Sequence, residues 1–541
     1  MKTIHKRILV FSILLASCQD QLDIENPNAP RFSNAQTEEG IISLAMGSAY
    51  VHISKYGGQN AYSTQTLRFH EVMGDAIGVE IANQGLNQIG CPDMVILDNG
   101  TQLLSPQAPP KQKDFIRQRN QNFNLGINPL YYEWATMYNI NNGSNMTLDF
   151  LESVQFSGDS VTQATKQNVM RAWSYFWKGF AYSRIGSMYY AGIINNEPLK
   201  TNNQYVTKEE VIAEAEVNFS KAVAILNGLT SGLAYDGILG KLIPNINQVG
   251  KGGILTPAMW IRNINTLRAR NILVNNTVAN MTTSQWNEIL TLTTNGIQAG
   301  DKVFTLRSNA TADVMNAANG NLPATAISAV PGGSFTLVSE RLIQDFKLGD
   351  KRLANNFIQG STYRGDANRG NSFNTRWALR NGGAGMAGVT VMGTRAVGTY
   401  EFYMAGFHEE NELMKAESNI YLGNVNAGLT QLDYIRSLQG AGLAATSGTG
   451  LTLVQALEEL RRERRVGLAF RGFSFYDARR WDIINTGRTG AVVVDFSVPP
   501  VVNTNATIQY NFLDYWDVPD NELAYNPPSA TSAPVKNPDG L

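Results

Sequence analysis

The chain has 541 residues, with 44 Lys+Arg against 45 Asp+Glu and a hydrophobic fraction of 43%. That apolar content can fill a large core and excludes wholesale disorder. The charge is balanced and sparse, 16% against about 25% in an average soluble chain, which excludes a surface built to neutralise nucleic-acid phosphates.

In chain order, the first element is a leader. Lys2, Lys6 and Arg7 precede a short apolar run from Ile8 to Ala16. It is too short to span a bilayer, which needs roughly 20 residues, but it fits the hydrophobic region of a signal peptide. Leu15-Ala16-Ser17-Cys18 has the form of a bacterial lipobox. Residues 1–17 are therefore predicted to be removed and Cys18 to be lipidated. With Cys18 lipidated, Cys91 has no partner within the chain and is expected to pack as a small buried hydrophobe. Residues 18–35 read as anchor and tether, because Asn26-Pro27-Asn28-Ala29-Pro30 cannot start a helix. Residues 36–541 form the body.

Within the body, 71–128 and 305–400 are rich in Gly, Asn, Gln, Ser and Thr, and are expected to be large loop insertions. Helices lie between them. Val169, Trp173, Phe176, Phe180, Ile185 and Met188 keep near-helical spacing and predict a deeply buried helix over 168–190. Thr207 and Glu210 form a capping box ahead of the stripe Ile212, Ala215, Phe219, Ala222 and Leu226. Thr256-Pro257 is an N-cap followed by proline at the first helical position, with Trp260, Ile264 and Leu267 on one face. A further helix is expected near 284–298. Leu413, Ala416 and Ile420, then Leu429, Leu432 and Ile435, stripe a helical hairpin over 410–422 and 425–438, broken at Gly423-Asn424. Near the end, Ala491–Val498 and Thr507–Leu513 read as short strands, followed by a Pro-rich tail. The class is mainly α, with irregular tetratricopeptide-like helix pairs forming an α-α superhelix, large insertions and a few short strands.

Catalytic signatures are missing. After the leader only His52, His70 and His408 remain, with no zinc-type spacing. There is no GxSxG elbow and no phosphate-binding loop. No cofactor is indicated, and an oxygen-ligated calcium would leave no readable signature here. The acidic pairs Glu409-Glu410 and Glu458-Glu459 suit a solvated helix face. The basic cluster Arg461, Arg462, Arg464, Arg465, Arg471, Arg479 and Arg480 has acidic residues within one or two turns, so internal pairing is expected.

The segment 457–481, LEELRRERRVGLAFRGFSFYDARRW, resembles the hallmark of the SusD/RagB family. Asn411–Gly423 resembles that family's "LKAEA…LG" helix, and Trp134–Leu151 its "WxxxYxxIxxANxxLxxL" helix. Asp350 and Arg352 match its "DxR" turn. Val518–Glu522, Asn526-Pro527 and Asn537-Pro538 match its close. Gly467 departs, standing where the family usually has Glu, and Gly472-Phe473 is followed by Ser-Phe-Tyr rather than a basic residue. The resemblance implies a lipid-anchored outer-membrane protein of Bacteroidetes-type bacteria, facing outward. Such a protein is no enzyme; it binds an oligosaccharide and passes it to a SusC-like TonB-dependent transporter. A RagB-like protein capturing peptide, or an envelope scaffold without a ligand, are the alternatives.

Family glycan binders often place aromatic platforms in irregular loops, yet 71–114 holds no Phe, Tyr or Trp. The second insertion has Tyr363, Phe373 and Trp377 among Arg364, Asn368, Asn374 and Arg376. Aromatic rings beside polar groups suit a carbohydrate site. The expected ligand-binding set is Trp377, Tyr363, Phe373, Arg376 and Asn374, joined by Tyr62. The other use of Trp377 and Phe373, as anchors of the loop to the core, stays open at this point. For Cys18→Ser, fractionation should find the protein released from the membrane pellet, tested in cells lacking any partner transporter. A variant still processed and sedimenting with membrane overturns the lipobox.

Overall fold

The computed structural model describes residues 35–54, 61–79, 85–124, 128–307, 336–365 and 374–538, apart from 395 and 397. Cys18, the leader and nearly all of the tether lie outside them. Numbering helices of six residues or more, α1 (Glu38–Ser54), α2 (Leu67–Met73) and α3 (Gln112–Arg119) come first. Then follow α4 (Pro129–Leu151), α5 (Ser160–Met188), α6 (Lys208–Leu226), α7 (Leu233–Leu242), α8 (Pro257–Val274) and α9 (Thr283–Thr294). Short α10 (Glu340–Asp345) and α11 (Lys351–Asn356) precede α12 (His408–Tyr421), α13 (Val425–Leu438), α14 (Leu453–Gly467) and α15 (Ser474–Arg480). The fold is mainly helical, built from tetratricopeptide-like pairs. No helix among the described residues is long and apolar enough to cross a membrane.

The longest helix, α5, starts where the Asp159 side chain accepts the Thr162 N–H at 2.8 Å. It is apolar on more than one face and is buried accordingly. Trp173, Phe176 and Phe180, with Phe219 of α6, are at most 1% exposed. Trp173, Phe176, Trp177, Trp260 and Phe304 form one edge-on aromatic cluster, with ring centroids 5.0–6.2 Å apart. Gly179 is required there, since a Cβ would lie 2.6 Å from the Phe219 ring. The expected Thr207/Glu210 capping box starts α6, and Thr256 caps α8. From there α8 packs on α9, α9 on α12, and α12 on α13, while α14 lies across the last two. Helix α9 stops at Thr294, short of the expected 298. Gly296 follows, and a Cβ there would lie 2.0 Å from Asn411 Oδ1.

Two four-stranded antiparallel sheets flank the helices. One has the order β1-β7-β9-β8, from Ile77–Val79, Thr336–Val338, Thr375–Leu379 and Phe357–Arg364. The other has the order β11-β12-β2-β3, from Arg488–Val494, Val502–Gln509, Met94–Ile96 and Gln102–Leu104. Two further pairs are β4 (Ala191–Ile193) with β5 (Tyr205–Thr207) and β6 (Thr305–Arg307) with β10 (Glu401–Tyr403). The C-terminal strands therefore differ from the expected 491–498 and 507–513. Pro499 and Pro500 have no N–H to give a ladder, so β11 ends before them. The polar run from Val502 is a strand because it pairs with β11 and β2. The second insertion, 305–400, expected to be a loop, contributes the β8–β9 hairpin. A register shift between Gln359 and Arg364 interrupts its alternation.

Buried charge ties the helices together. Arg480 grips Glu417 of α12 with both Nη atoms, at 2.6 and 2.8 Å, and donates to Asp477 at 2.7 Å. Arg464 of α14 binds the same Asp477 at 2.9 Å. Arg352 of α11 joins Asp350 to Glu463 of α14, which Arg436 of α13 also binds. Internal pairing is thus found for Arg462, Arg464, Arg465 and Arg480, though Glu417 and Asp345 come from beyond the local sequence, while Arg471 and Arg479 donate to backbone carbonyls. Cys91 is buried.

At the junction of α2 and α15, buried Glu71 accepts from the Gly472 N–H at 2.7 Å and the Ser474 hydroxyl at 3.0 Å. Burial pushes its carboxyl up to about 7, the hydrogen bonds only tempering the rise. The folded state holds this proton more tightly than the unfolded one. Its contribution is fully present below the ordinary value of 4.5 and is lost as pH rises through about 7. Melting temperature should therefore fall between about pH 5 and pH 8 more in the native protein than in Glu71→Gln; parallel pH profiles would refute this. Truncating Phe176 to Ala should cost roughly 3–5 kcal/mol in denaturant unfolding, and an unchanged midpoint would contradict the aromatic core.

Candidate functional site

The β8–β9 hairpin stands on α10. Ser339 caps that helix, its hydroxyl accepting the Arg341 N–H at 3.2 Å. Two consecutive residues then point to different tasks. Arg341 binds Asp75 at 2.7 Å, and Asp75 also takes the Ser339 and Tyr510 hydroxyls. Burial alone would raise the Asp75 carboxyl, but the Arg341 guanidinium overrides it and holds it down at about 2. Glu340 faces the hairpin instead. It accepts from Trp377 Nε1 at 3.1 Å, Thr375 Oγ1 at 3.3 Å and the Arg376 N–H at 3.3 Å. Burial pushes its carboxyl up, and the Arg376 N–H holds the rise in check.

On this base the expected residues divide. Tyr363 and Arg376 meet, with the guanidinium 4.8 Å from the ring centroid. Exposed Gln359, its amide oxygen turned toward Arg376, accepts from Nε at 3.0 Å and Nη2 at 2.7 Å. Trp377 lies opposite Gln359 in the ladder, half-buried, with part of its ring against the main core. Tyr363, Arg376 and Gln359 thus form one amphipathic group of an aromatic ring, a guanidinium and an amide, while Trp377, next to Arg376 in the strand, turns its indole to Glu340 and the core. Asn374 is used elsewhere: its N–H donates to Val494 O at 2.6 Å and its Nδ2 to Asp495 O at 2.5 Å, fastening the hairpin to β11. Tyr62 is 4% exposed, set edge-on to Phe180 at 6.4 Å with the Arg184 guanidinium 5.4 Å from its ring. Phe373 and Asn368 lie outside the described residues. Sequence reasoning missed Glu340 and Gln359, and the Ser339-Glu340 helix start is the signal that could have found the first. Among the described residues no group of three or more His, Cys, Asp or Glu is placed to hold a metal ion.

The fold is that of SusD-like proteins. A SusD-like protein of Bacteroides fragilis is 13% identical with a TM-score of 0.54, over 92% of this chain and 97% of its own. A SusD superfamily protein of Bacteroides vulgatus is 14% identical with a TM-score of 0.51, over 92% and 98%. A SusD-like carbohydrate binding protein of Bacteroides vulgatus is 13% identical with a TM-score of 0.51, over 94% and 98%. None of the curated proteins matches the chain. Residues 412–533 match the model of the SusD family.

Proposed function

We propose that this protein is a surface lipoprotein that captures an oligosaccharide and delivers it to a SusC-like TonB-dependent outer-membrane transporter. The observation that carries the reading is the Tyr363–Arg376–Gln359 arrangement beside half-buried Trp377. A sugar ring has apolar C–H faces and an equator of hydroxyls. Tyr363 and the exposed part of Trp377 match the first, while Arg376 and Gln359 match the second. Arg376 is already oriented by Gln359 and by the Tyr363 ring, so little side-chain freedom is lost on binding. The carbohydrate binding stated for the Bacteroides vulgatus relative supports the ligand class. The lipobox at Cys18 supports the surface location, and the match of residues 412–533 to the SusD family model supports the transporter partner. Binding and hand-over need no bond-making chemistry.

The test separates binding from stability. Tyr363→Ala should weaken oligosaccharide binding in calorimetry by about 2 kcal/mol, roughly thirtyfold, with an unchanged melting temperature. Trp377→Ala should lower both, because its indole also binds Glu340 and packs on the core. Unchanged affinity in both variants places the ligand elsewhere, and tight binding of oligopeptides instead of oligosaccharides makes this a peptide-capturing protein.

A further inference from the structure

The far end of α10 borders a concavity. Gln344 and Asp345 line a cleft of about 350 Å³ whose walls also include Arg461, Arg465, Trp481 and Arg488. That volume falls in the range of small-molecule sites, roughly 300–1,000 Å³.

The carboxylates of this cleft are already satisfied. Asp345 takes Arg465, and Arg488 Nη2 at 3.1 Å. Asp477 takes Arg464 and Arg480. Glu458 takes Arg462 Nε at 2.9 Å. Asp75 takes Arg341, Ser339 and Tyr510. Arg461 is the arginine left over, with no carboxylate partner among the described residues. Its Nε is buried with no acceptor. Its guanidinium lies 5.7 Å from the Trp481 ring centroid and beside the Tyr421 hydroxyl. Arg488 makes all its hydrogen bonds among the described residues through Nη2, to Asp345 and to the Arg341 carbonyl. Each of these carboxylates already holds a guanidinium while Arg461 holds no carboxylate among the described residues, so the cleft has a guanidinium free to take an added anion.

Its other surface is flat and apolar. Trp481 and Ile483 are half-buried and line the same space. Two non-glycine residues here also hold left-handed backbone: Asp75, in the wall, at φ 55°, and Asp482, directly after Trp481, at φ 61°. Such strain persists only where the surroundings over-determine it, and it concentrates at ligand sites.

We propose that this cleft binds a carboxylate-bearing sugar unit, with the carboxylate between Arg461 and Arg488 and the ring against Trp481. The site shares no residue with the Tyr363 patch, so the two stand or fall separately.

The probe is digalacturonate, measured by calorimetry on the full-length protein beside its neutral methyl ester and the dipeptide dialanine, which also carries a carboxylate. The acid should bind at least tenfold more tightly than the ester, with affinity for the acid falling as salt is raised. Arg461→Gln and Arg488→Gln should each weaken binding by about tenfold or more, the loss of one charge-assisted hydrogen bond. Arg461→Lys should recover part of the loss, because it restores charge without the planar fork. Equal binding of acid and ester overturns the proposal, as does no binding of digalacturonate. Binding of dialanine alone overturns the sugar assignment. Unchanged affinity in both glutamine variants, each with a native melting temperature, also overturns it. Should one variant fail to fold, the other and the salt dependence decide.

Discussion

The contact on which most else depends is the grip of Arg480 on Glu417. Both side chains are fully withdrawn from water, where an unpaired charge is untenable and the loss of one partner commonly costs roughly 3–5 kcal/mol. Glu417 belongs to α12 and Arg480 to α15, and Asp477 passes the charge on to Arg464 of α14. Three helices thus have their relative positions set by one alternating row of guanidinium and carboxylate. Glu463 continues the pattern one turn away, taking Arg352 from α11 and Arg436 from α13. Apart from Arg461, whose Nε has no partner among the described residues, the arginines of residues 457–481 are answered from within the fold and do not make a basic surface.

A scaffold fixed in this way can hold small elements at defined angles. Helix α10 is only six residues long, yet Arg341 ties it to Asp75 and Tyr510 behind it. From that anchorage Glu340 reaches the hairpin indole, and Asp345 reaches Arg465 and Arg488. The hairpin and the cleft take one support or one wall from the same short helix, whose position is dictated by charge pairs on either side.

The helical frame was legible because its signals are local. Phe176 and Phe219 repeat with the period of the helix that buries them, and the Thr207–Glu210 box lies within four residues. The "DxR" turn was legible as a resemblance, but its physical meaning was not, since Glu463 is 111 residues from Arg352. The site was legible only as residue types. Tyr363, Arg376 and Trp377 do gather on one hairpin. Asn374 turned out to be committed to Asp495, and Tyr62 lies within the core. Neither fact could be read from composition, because each depends on a partner far along the chain. The hairpin itself was hidden by its register shift, which breaks the period-two alternation that marks a strand.

The pairing of β2 with β12 has a consequence for how the molecule comes into being. Ile96 sits opposite Thr507, and the Asp75 carboxylate waits for the hydroxyl of Tyr510, 435 residues later. A chain emerging from its N-terminus can assemble α4, α5 and α6 early, because their contacts are between neighbours in sequence. The sheet that holds β2 cannot close until the last tenth of the polypeptide arrives, and closing so long a loop is slow and entropically costly. Throughout synthesis β2 is thus an open edge, the kind of surface that invites mispairing with other chains. Its brevity, three residues, is a safeguard: it offers too few backbone groups to template a foreign strand before its own partner reaches it.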